Sequence, residues 1–183
     1  MISGHFFITG FMGSGKSTIG KKLAGQLNMP FIDSDNEIEQ KYGKAIKDIF
    51  RDEGEPYFRK IEEEEIDRVC RREERSVIAL GGGALMSEKS LKTVLENGLL
   101  IYIESSPEAI WKRTHHSTRR PLMPKSSKPE DHRQRIKSLM KEREKGYMAA
   151  QIKLNRDEIE AETAVRRLVK KIEEYLKRNN GKD

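Results

Sequence analysis

Cysteine is almost missing: Cys70 is the only one in 183 residues. An internal disulfide and a multi-cysteine metal site are both excluded, and a reducing compartment is expected. Long apolar runs are missing as well. None approaches the roughly 18 residues that a membrane span needs, so no membrane association is expected. The opening residues Met1-Ile2-Ser3-Gly4-His5 lead almost at once into a strand-like run, which leaves no room for a signal or transit segment. A cytoplasmic protein is the expectation. Aromatic residues make up only 7% of the chain, and no basic stripe or stacking platform is evident, so nucleic acid is not an expected partner. Nor does one sign of charge dominate. The 36 lysines and arginines against 30 aspartates and glutamates leave a net +6, spread along the chain, which suits an anionic small molecule as well as nucleic acid or a membrane surface and does not choose among them. The hydrophobic share is a lean 35%. A chain of this length still buries a full core, and one domain spanning 1–183 is expected, as a monomer.

Short apolar runs alternate with longer amphipathic stretches. The runs are His5–Thr9, Pro30–Asp33, Ser76–Leu80, Leu99–Ile103 and Gln151–Leu154. Three of them are nearly continuous in apolar residues, as strands buried on both faces should be. Between them lie helical patterns at Lys16–Leu27, Asp35–Tyr42, Glu55–Arg72, Ser87–Glu96, Pro107–Arg113, Asp131–Tyr147 and Ala161–Arg178. The expected class is α/β: a three-layer sandwich with a parallel sheet covered by helices on both faces. The stretch 114–130 holds three prolines, two histidines and many cations and reads as a mobile lid. The tail 177–183 is expected to fray.

Chemistry concentrates first at Gly10-Phe11-Met12-Gly13-Ser14-Gly15-Lys16-Ser17. Every position of G-x-x-x-x-G-K-[ST] is filled, a strand runs in and a helix runs out. Glycines let successive N–H groups turn inward as an anion nest at a positive helix end. Lys16 supplies a point charge for the β- and γ-phosphates, and the Ser17 hydroxyl is a ligand for Mg²⁺. Binding of a nucleoside triphosphate follows. A GTP switch would need an Asn-Lys-x-Asp reader, and Asn155-Arg156-Asp157 lacks it. A motor would carry a strand ending in Asp-Glu, whereas the third run ends Leu80-Gly81-Gly82-Gly83.

Acidic groups come instead from Asp33-Ser34-Asp35. Residues two apart in an extended segment project to one side, so both carboxylates can face the ligand end of the sheet. A helix N-cap at Asp35 explains the pattern equally well. Arg59 lies three residues before Glu62, on one helical face, either held ready to grip a carboxylate through two N–H groups or as a solvated pair. Gly81-Gly82-Gly83 allows close approach of a ligand, or is a plain turn. Arg119-Arg120 sits in the lid, where closure would carry an arginine over a transferring phosphate. Cys70 reads as packing, and His115 and His116 have no partners at metal-ligand spacing.

Taken in order, GFMGSGKST (Gly10–Thr18), Asp33-Ser34-Asp35, Ile49-Phe50…Gly54-Glu55…Phe58-Arg59…Glu62, Leu80–Ala84, Arg119–Leu122 and Arg143…Tyr147 resemble the shikimate kinase family, over about residues 5 to 150. The resemblance implies ATP-dependent phosphorylation of the 3-hydroxyl of shikimate, giving shikimate 3-phosphate and ADP, a step of aromatic amino-acid biosynthesis. It also implies a nucleoside monophosphate kinase-like fold with strand order 2-3-1-4-5. By that likeness Gly13, Ser14, Gly15, Lys16, Ser17 and Thr18 bind ATP, with Arg113 beside the adenine and Arg120 on the phosphates from the lid. Asp35, Arg59, Gly81, Gly82, Gly83 and Arg143 bind shikimate, within an acceptor segment at about 35–72 plus Arg143. Asp35 is also the family's proposed base. Ser17 ligates Mg²⁺ directly and Asp33 reaches it through water. Where the family has proline and Leu-Tyr after Arg143, this chain has Glu144-Lys145-Gly146-Tyr147. Two rivals stand beside this reading: a kinase of the same fold acting on another metabolite such as gluconate, and a binding protein that responds to nucleotide without transferring phosphate.

Overall fold

The computed structural model describes residues 4–114 and 128–180. Five strands form one parallel sheet: β1 (His5–Thr9), β2 (Phe31–Asp33), β3 (Val77–Ala79), β4 (Gly98–Glu104) and β5 (Ile152–Asn155). Their order is β2-β3-β1-β4-β5, as the resemblance implied. Between the strands run α1 (Lys16–Leu27), α2 (Ser34–Tyr42), α3 (Ile46–Cys70), α4 (Glu88–Asn97), α5 (Pro107–Thr114), α6 (Pro129–Glu142) and α7 (Glu144–Met148), and α8 (Ala161–Asn180) follows β5.

Period-two alternation assigns each strand's side chains to two cores. Phe6, Ile8, Leu99, Ile101 and Ile103 face α1 and α8 together with Val77. Phe7, Leu100 and Tyr102 face the other way with Ile32, Ile78 and the α3 residues Ile66 and Val69. Both faces are dry, which is why β1 and β4 read as continuous apolar runs. β5 is an edge strand in which Ile152 and Leu154 are buried while Lys153 and Asn155 are exposed. Asp33 stands opposite Ala79, and Ala79 opposite Ile8. The loops after β1, β2 and β3 therefore leave the sheet at one level, and that shared exit positions the site.

Four local expectations need correction. The acidic pair is not an extended segment: Asp33 ends β2 and Asp35 lies in the first turn of α2. The cap is Asp33, whose Oδ1 accepts from the Asp35 N–H at 3.2 Å. Residues 46–53, outside the helical patterns at Asp35–Tyr42 and Glu55–Arg72, are helical too. Gly54 (φ 83°, ψ 170°) interrupts α3, and Pro56 sits in the first turn after the break, where its missing N–H costs nothing. The pattern at Asp131–Tyr147 is two helices, because Arg143 closes α6 and opens α7. The tail is helical through Asn180 rather than frayed from 177. Tyr175 and Leu176 pack on the core beneath it, and Lys177 and Arg178 complement the negative helix end.

Of the lid expected at 114–130, residues 115–127 lie outside the described residues. Thr114 is buried at the end of α5 with its hydroxyl donating to Ile110 O at 2.7 Å, and α6 begins at Pro129. Among the described residues no helix is long and apolar enough to cross a membrane.

Candidate active site

The strand–loop–helix at residues 5–27 builds the first wall. Gly13 (φ 78°) and Gly15 (φ 91°) take left-handed backbone that a side chain would strain. Gly15 caps α1, so Lys16 and Ser17 form its first turn, at the positive end of the helix. Lys16 Nζ donates to Phe11 O at 3.3 Å, across the concave face of the loop. Ser14 is fully buried and its Oγ has no hydrogen-bond partner among the described residues. Ser17 Oγ donates to Asp33 Oδ2 at 2.6 Å. A hydroxyl and a carboxylate meet there at the loop's end, with Lys16 beside them.

The second wall comes from α2 and α3. Ser34 Oγ accepts from the Gly81 N–H at 3.0 Å, which ties the end of β3 to the start of α2. That tie draws three acids together. A Cβ at Gly81 would stand 2.5 Å from Glu62 Oε1 and 2.7 Å from Asp35 Oδ1. Burial pushes the Asp35 carboxyl up to about 7, and the neighbouring Glu62 and Asp33 carboxylates add to the rise against the opposing charge of Lys16. Burial also raises Glu62, opposed by the Arg59 and Arg143 guanidiniums. Arg59 reaches Glu62 Oε2 at 2.6 Å and Glu55 Oε1 at 2.8 Å. This is the i,i+3 pair that the spacing suggested, and it is no solvated surface pair, because Glu62 is 3% exposed.

Arg143 completes the ring from the far side. Its side chain is buried, its guanidinium lies 5.4 Å from the Phe11 ring centroid, and its Nε has no hydrogen-bond partner among the described residues. Both glycines flanking this region make room for the arginines. A Cβ at Gly82 would sit 3.2 Å from Arg143 Nη1, and one at Gly83 2.7 Å from Arg59 Nη1. At each of the three glycines a side chain would crowd the protein's own charged groups, before any ligand is considered.

These walls enclose a cavity of about 790 Å³. Gly13, Lys16, Ser17, Asp33, Asp35, Arg59, Gly82, Gly83 and Arg143 all line it. Gly81 lies buried beneath it, and Thr18 is on the exposed face of α1. Arg113, at the end of α5, stands on the other side of the loop, its Nη1 donating to Ser105 Oγ at 3.2 Å and Gly13 O at 3.5 Å. Arg120 lies outside the described residues. Among those described, no cluster of three or more His, Cys, Asp or Glu side chains could hold a metal ion.

Two further residues, present in strings quoted from the sequence but given no role of their own there, stand at the site. Arg156 lies over the loop, with its Cζ 3.0 Å from where a Gly15 Cβ would be. Burial lowers its guanidinium and the nearby Arg113 charge adds to this. Asn155 Oδ1 accepts from the Asp157 N–H at 2.9 Å, and Asp157 accepts from the Ser106 N–H at 3.0 Å. The Asn-x-Asp turn chemistry after the last strand was the available signal. Tyr147 is the other, since its hydroxyl donates to Gly82 O at 2.6 Å.

The sequence profile described as "Shikimate kinase" matches residues 12–173. The chain is 42% identical over 176 residues to a shikimate kinase of Chlorobaculum tepidum, covering 94% of this chain and 92% of that one. It is 39% identical over 151 residues to one of Persephonella marina, covering 82% and 88%. Among solved structures it is similar to shikimate kinase from Acinetobacter baumannii in complex with shikimate, with TM-score 0.87, 30% identity and 94% of each chain covered. The Aquifex aeolicus shikimate kinase structure matches with TM-score 0.78 and 35% identity over 92% of this chain and 96% of that one.

Proposed function

Because this chain belongs to the shikimate kinase family, we propose that its cavity binds shikimate between Asp35, Arg59 and Arg143 while ATP occupies the loop at Gly10–Ser17. The activity is ATP-dependent phosphorylation of shikimate, and the reacting group is the 3-hydroxyl. One observation carries the assignment. Two arginines and a carboxylate with a raised pKa converge in the same cavity as Lys16 and Ser17.

The paired guanidiniums suit the carboxylate of the acceptor, since each offers a fork of N–H donors. Glu62 keeps Arg59 extended into the cavity, and Phe11 supports Arg143. Asp35 accepts a hydrogen bond from the acceptor hydroxyl and takes its proton as the new O–P bond forms and the β–γ bond breaks. Its raised pKa keeps it competent to hold that proton near neutrality. Lys16 and the loop N–H groups neutralise charge on the phosphates, and phosphoryl transfer depends on that neutralisation and on alignment more than on a strong base. Arg113 and Arg156 flank the outer side of the loop, a setting for the adenine ring. Arg120, in the lid segment, is assigned to the transferring phosphate.

The Ser17 hydroxyl and Asp33 carboxylate, 2.6 Å apart, are hard oxygen donors that fit Mg²⁺ brought in with the nucleotide and its water shell. When bound, that ion supplies charge neutralisation at the phosphates.

The deciding experiment is an ADP-release assay with ATP, Mg²⁺ and a panel of acceptors that starts with shikimate and includes gluconate. Turnover confined to shikimate is expected. Turnover on another acceptor alone would reject the assignment, and ATP binding without any turnover would mark a silent binding protein.

A further inference from the structure

We infer that Tyr147 is a positioning residue for the acceptor: its hydroxyl fixes the Gly82–Gly83 peptide and the Arg143 guanidinium in the orientation that receives shikimate. The inference rests on the acceptor site proposed above.

Tyr147 sits on α7, four residues after Arg143, so the two side chains share a helical face. Its ring is 2% exposed and stacks on Tyr102 of β4, with centroids 4.9 Å apart and planes 12° from parallel. That packing leaves the hydroxyl as the only polar part of the side chain, aimed at the cavity floor. There it donates to Gly82 O at 2.6 Å. The peptides of the chain are all trans where described, so a carbonyl and the next N–H point opposite ways. Holding the Gly82 carbonyl on Tyr147 turns the Gly83 N–H away from the phenol. Both glycines line the acceptor cavity, and neither has a side chain to resist rotation of that peptide. The Ala84 N–H donates to Gly81 O at 3.1 Å and the Met86 N–H to Gly83 O at 3.0 Å, which holds the flanking peptides, and Tyr147 holds the carbonyl between them.

The same oxygen faces Arg143. Burial pushes the phenol up to about 12, and the Arg143 charge pulls the other way. The phenol is therefore protonated at any working pH and always available to donate to Gly82. Without it, the Gly82 carbonyl would turn to find another donor, and Arg143 is close by, since its Nη1 lies 3.2 Å from where a Gly82 Cβ would be. A guanidinium recruited by that carbonyl is drawn away from the acceptor.

The departure at Glu144-Lys145-Gly146 fits this role. A Cβ at Gly146 would come within 2.7 Å of Leu85 Cβ and 2.8 Å of Leu85 O. The short helix thus seats flush against the 3₁₀ turn at Ala84–Met86 that follows the glycines. Tyr147 and Gly82 are held at bonding distance by that contact.

The test is Tyr147→Phe in the full chain, with Gly146→Ala as a second variant that displaces α7 without touching the phenol. Steady-state constants for shikimate and ATP, equilibrium binding of each, and the melting temperature are read for both and for wild type. Tyr147→Phe keeps the stacked ring and removes one hydrogen bond, so the shikimate KM and Kd should rise about threefold to tenfold. The ATP Kd should stay within about twofold and the melting temperature nearly unchanged. Gly146→Ala should move the shikimate constants in the same direction. Unaltered shikimate constants in Tyr147→Phe would overturn the inference, and so would an equal rise for ATP. Wild-type protein that fails to phosphorylate shikimate would instead remove the acceptor assignment and this inference with it. The wild-type control therefore separates the two failures.

Discussion

Replacing Asp35 by asparagine should make the enzyme more stable and less active, each in a way the geometry sets. The carboxyl sits beside Glu62 and Asp33 and is raised from 3.8 to about 7. A group whose folded pKa lies above its unfolded value contributes stability in full below the unfolded value, and that contribution is lost as pH rises through the folded one. Above pH 7 the ionised Asp35 therefore burdens the fold in full. The displacement from 3.8 to about 7 corresponds to about 4 kcal/mol as an upper bound. The residue keeps a small part of its surface in contact with solvent, and solvent and mobile ions reduce this to about 1–2 kcal/mol. Asparagine keeps the shape and removes the charge. Thermal melts in EDTA without nucleotide should show Asp35→Asn melting about 2–6 °C above wild type at pH 8. The gap should narrow toward pH 5. Under turnover conditions the same variant should lose kcat by about 10²-fold or more, with its ATP Kd nearly unchanged. An equal or lower melting temperature at pH 8 would refute the crowding of carboxylates. Retained kcat would remove Asp35 from proton transfer.

Arg59→Ala should weaken shikimate binding by about 1.5–3 kcal/mol through a lost charged hydrogen bond. An unchanged Kd in equilibrium titration would reject the clamp. Gly81→Ala would force a methyl between Glu62 Oε1 and Asp35 Oδ1, costing about 1–3 kcal/mol of stability and most of the activity. Gly25→Ala on exposed α1 meets nothing within 4 Å and should instead stabilise by about 0.5–1 kcal/mol, and matching melts for the two would contradict the contact geometry. His5 accepts from the Ser76 N–H through Nδ1 at 3.2 Å, and burial lowers its pKa. Its contribution is present above the ordinary histidine range and lost as pH falls through the lowered value. His5→Gln should accordingly lose less melting temperature than wild type between pH 7 and 5, and identical pH profiles would show that the ring does not titrate on unfolding.

Amino-acid order alone determined a good deal of this protein. The phosphate loop is a contiguous string whose geometry is local, so its glycines, Lys16 and Ser17 are legible from spacing, as is the sheet, because strands dry on both faces must be apolar throughout. The Arg59–Glu62 pair is three residues apart on one helix and equally local. What only tertiary structure decided involves residues far apart in the chain. Asp35, Glu62 and Gly81 come from three elements, and the pKa that suits Asp35 to its task arises from their crowding. Asp33 turned out to serve both as helix cap and as partner of Ser17, since side-chain direction depends on where β2 ends against β3. Arg143 broke a pattern that reads as one continuous helix, because periodicity does not record a buried guanidinium and a glycine pressed onto Leu85. Arg156 and Tyr147 gained their positions from packing across the sheet. Short-range geometry is encoded in spacing, whereas the fields and contacts that tune a site exist only once the sheet has brought its loops together.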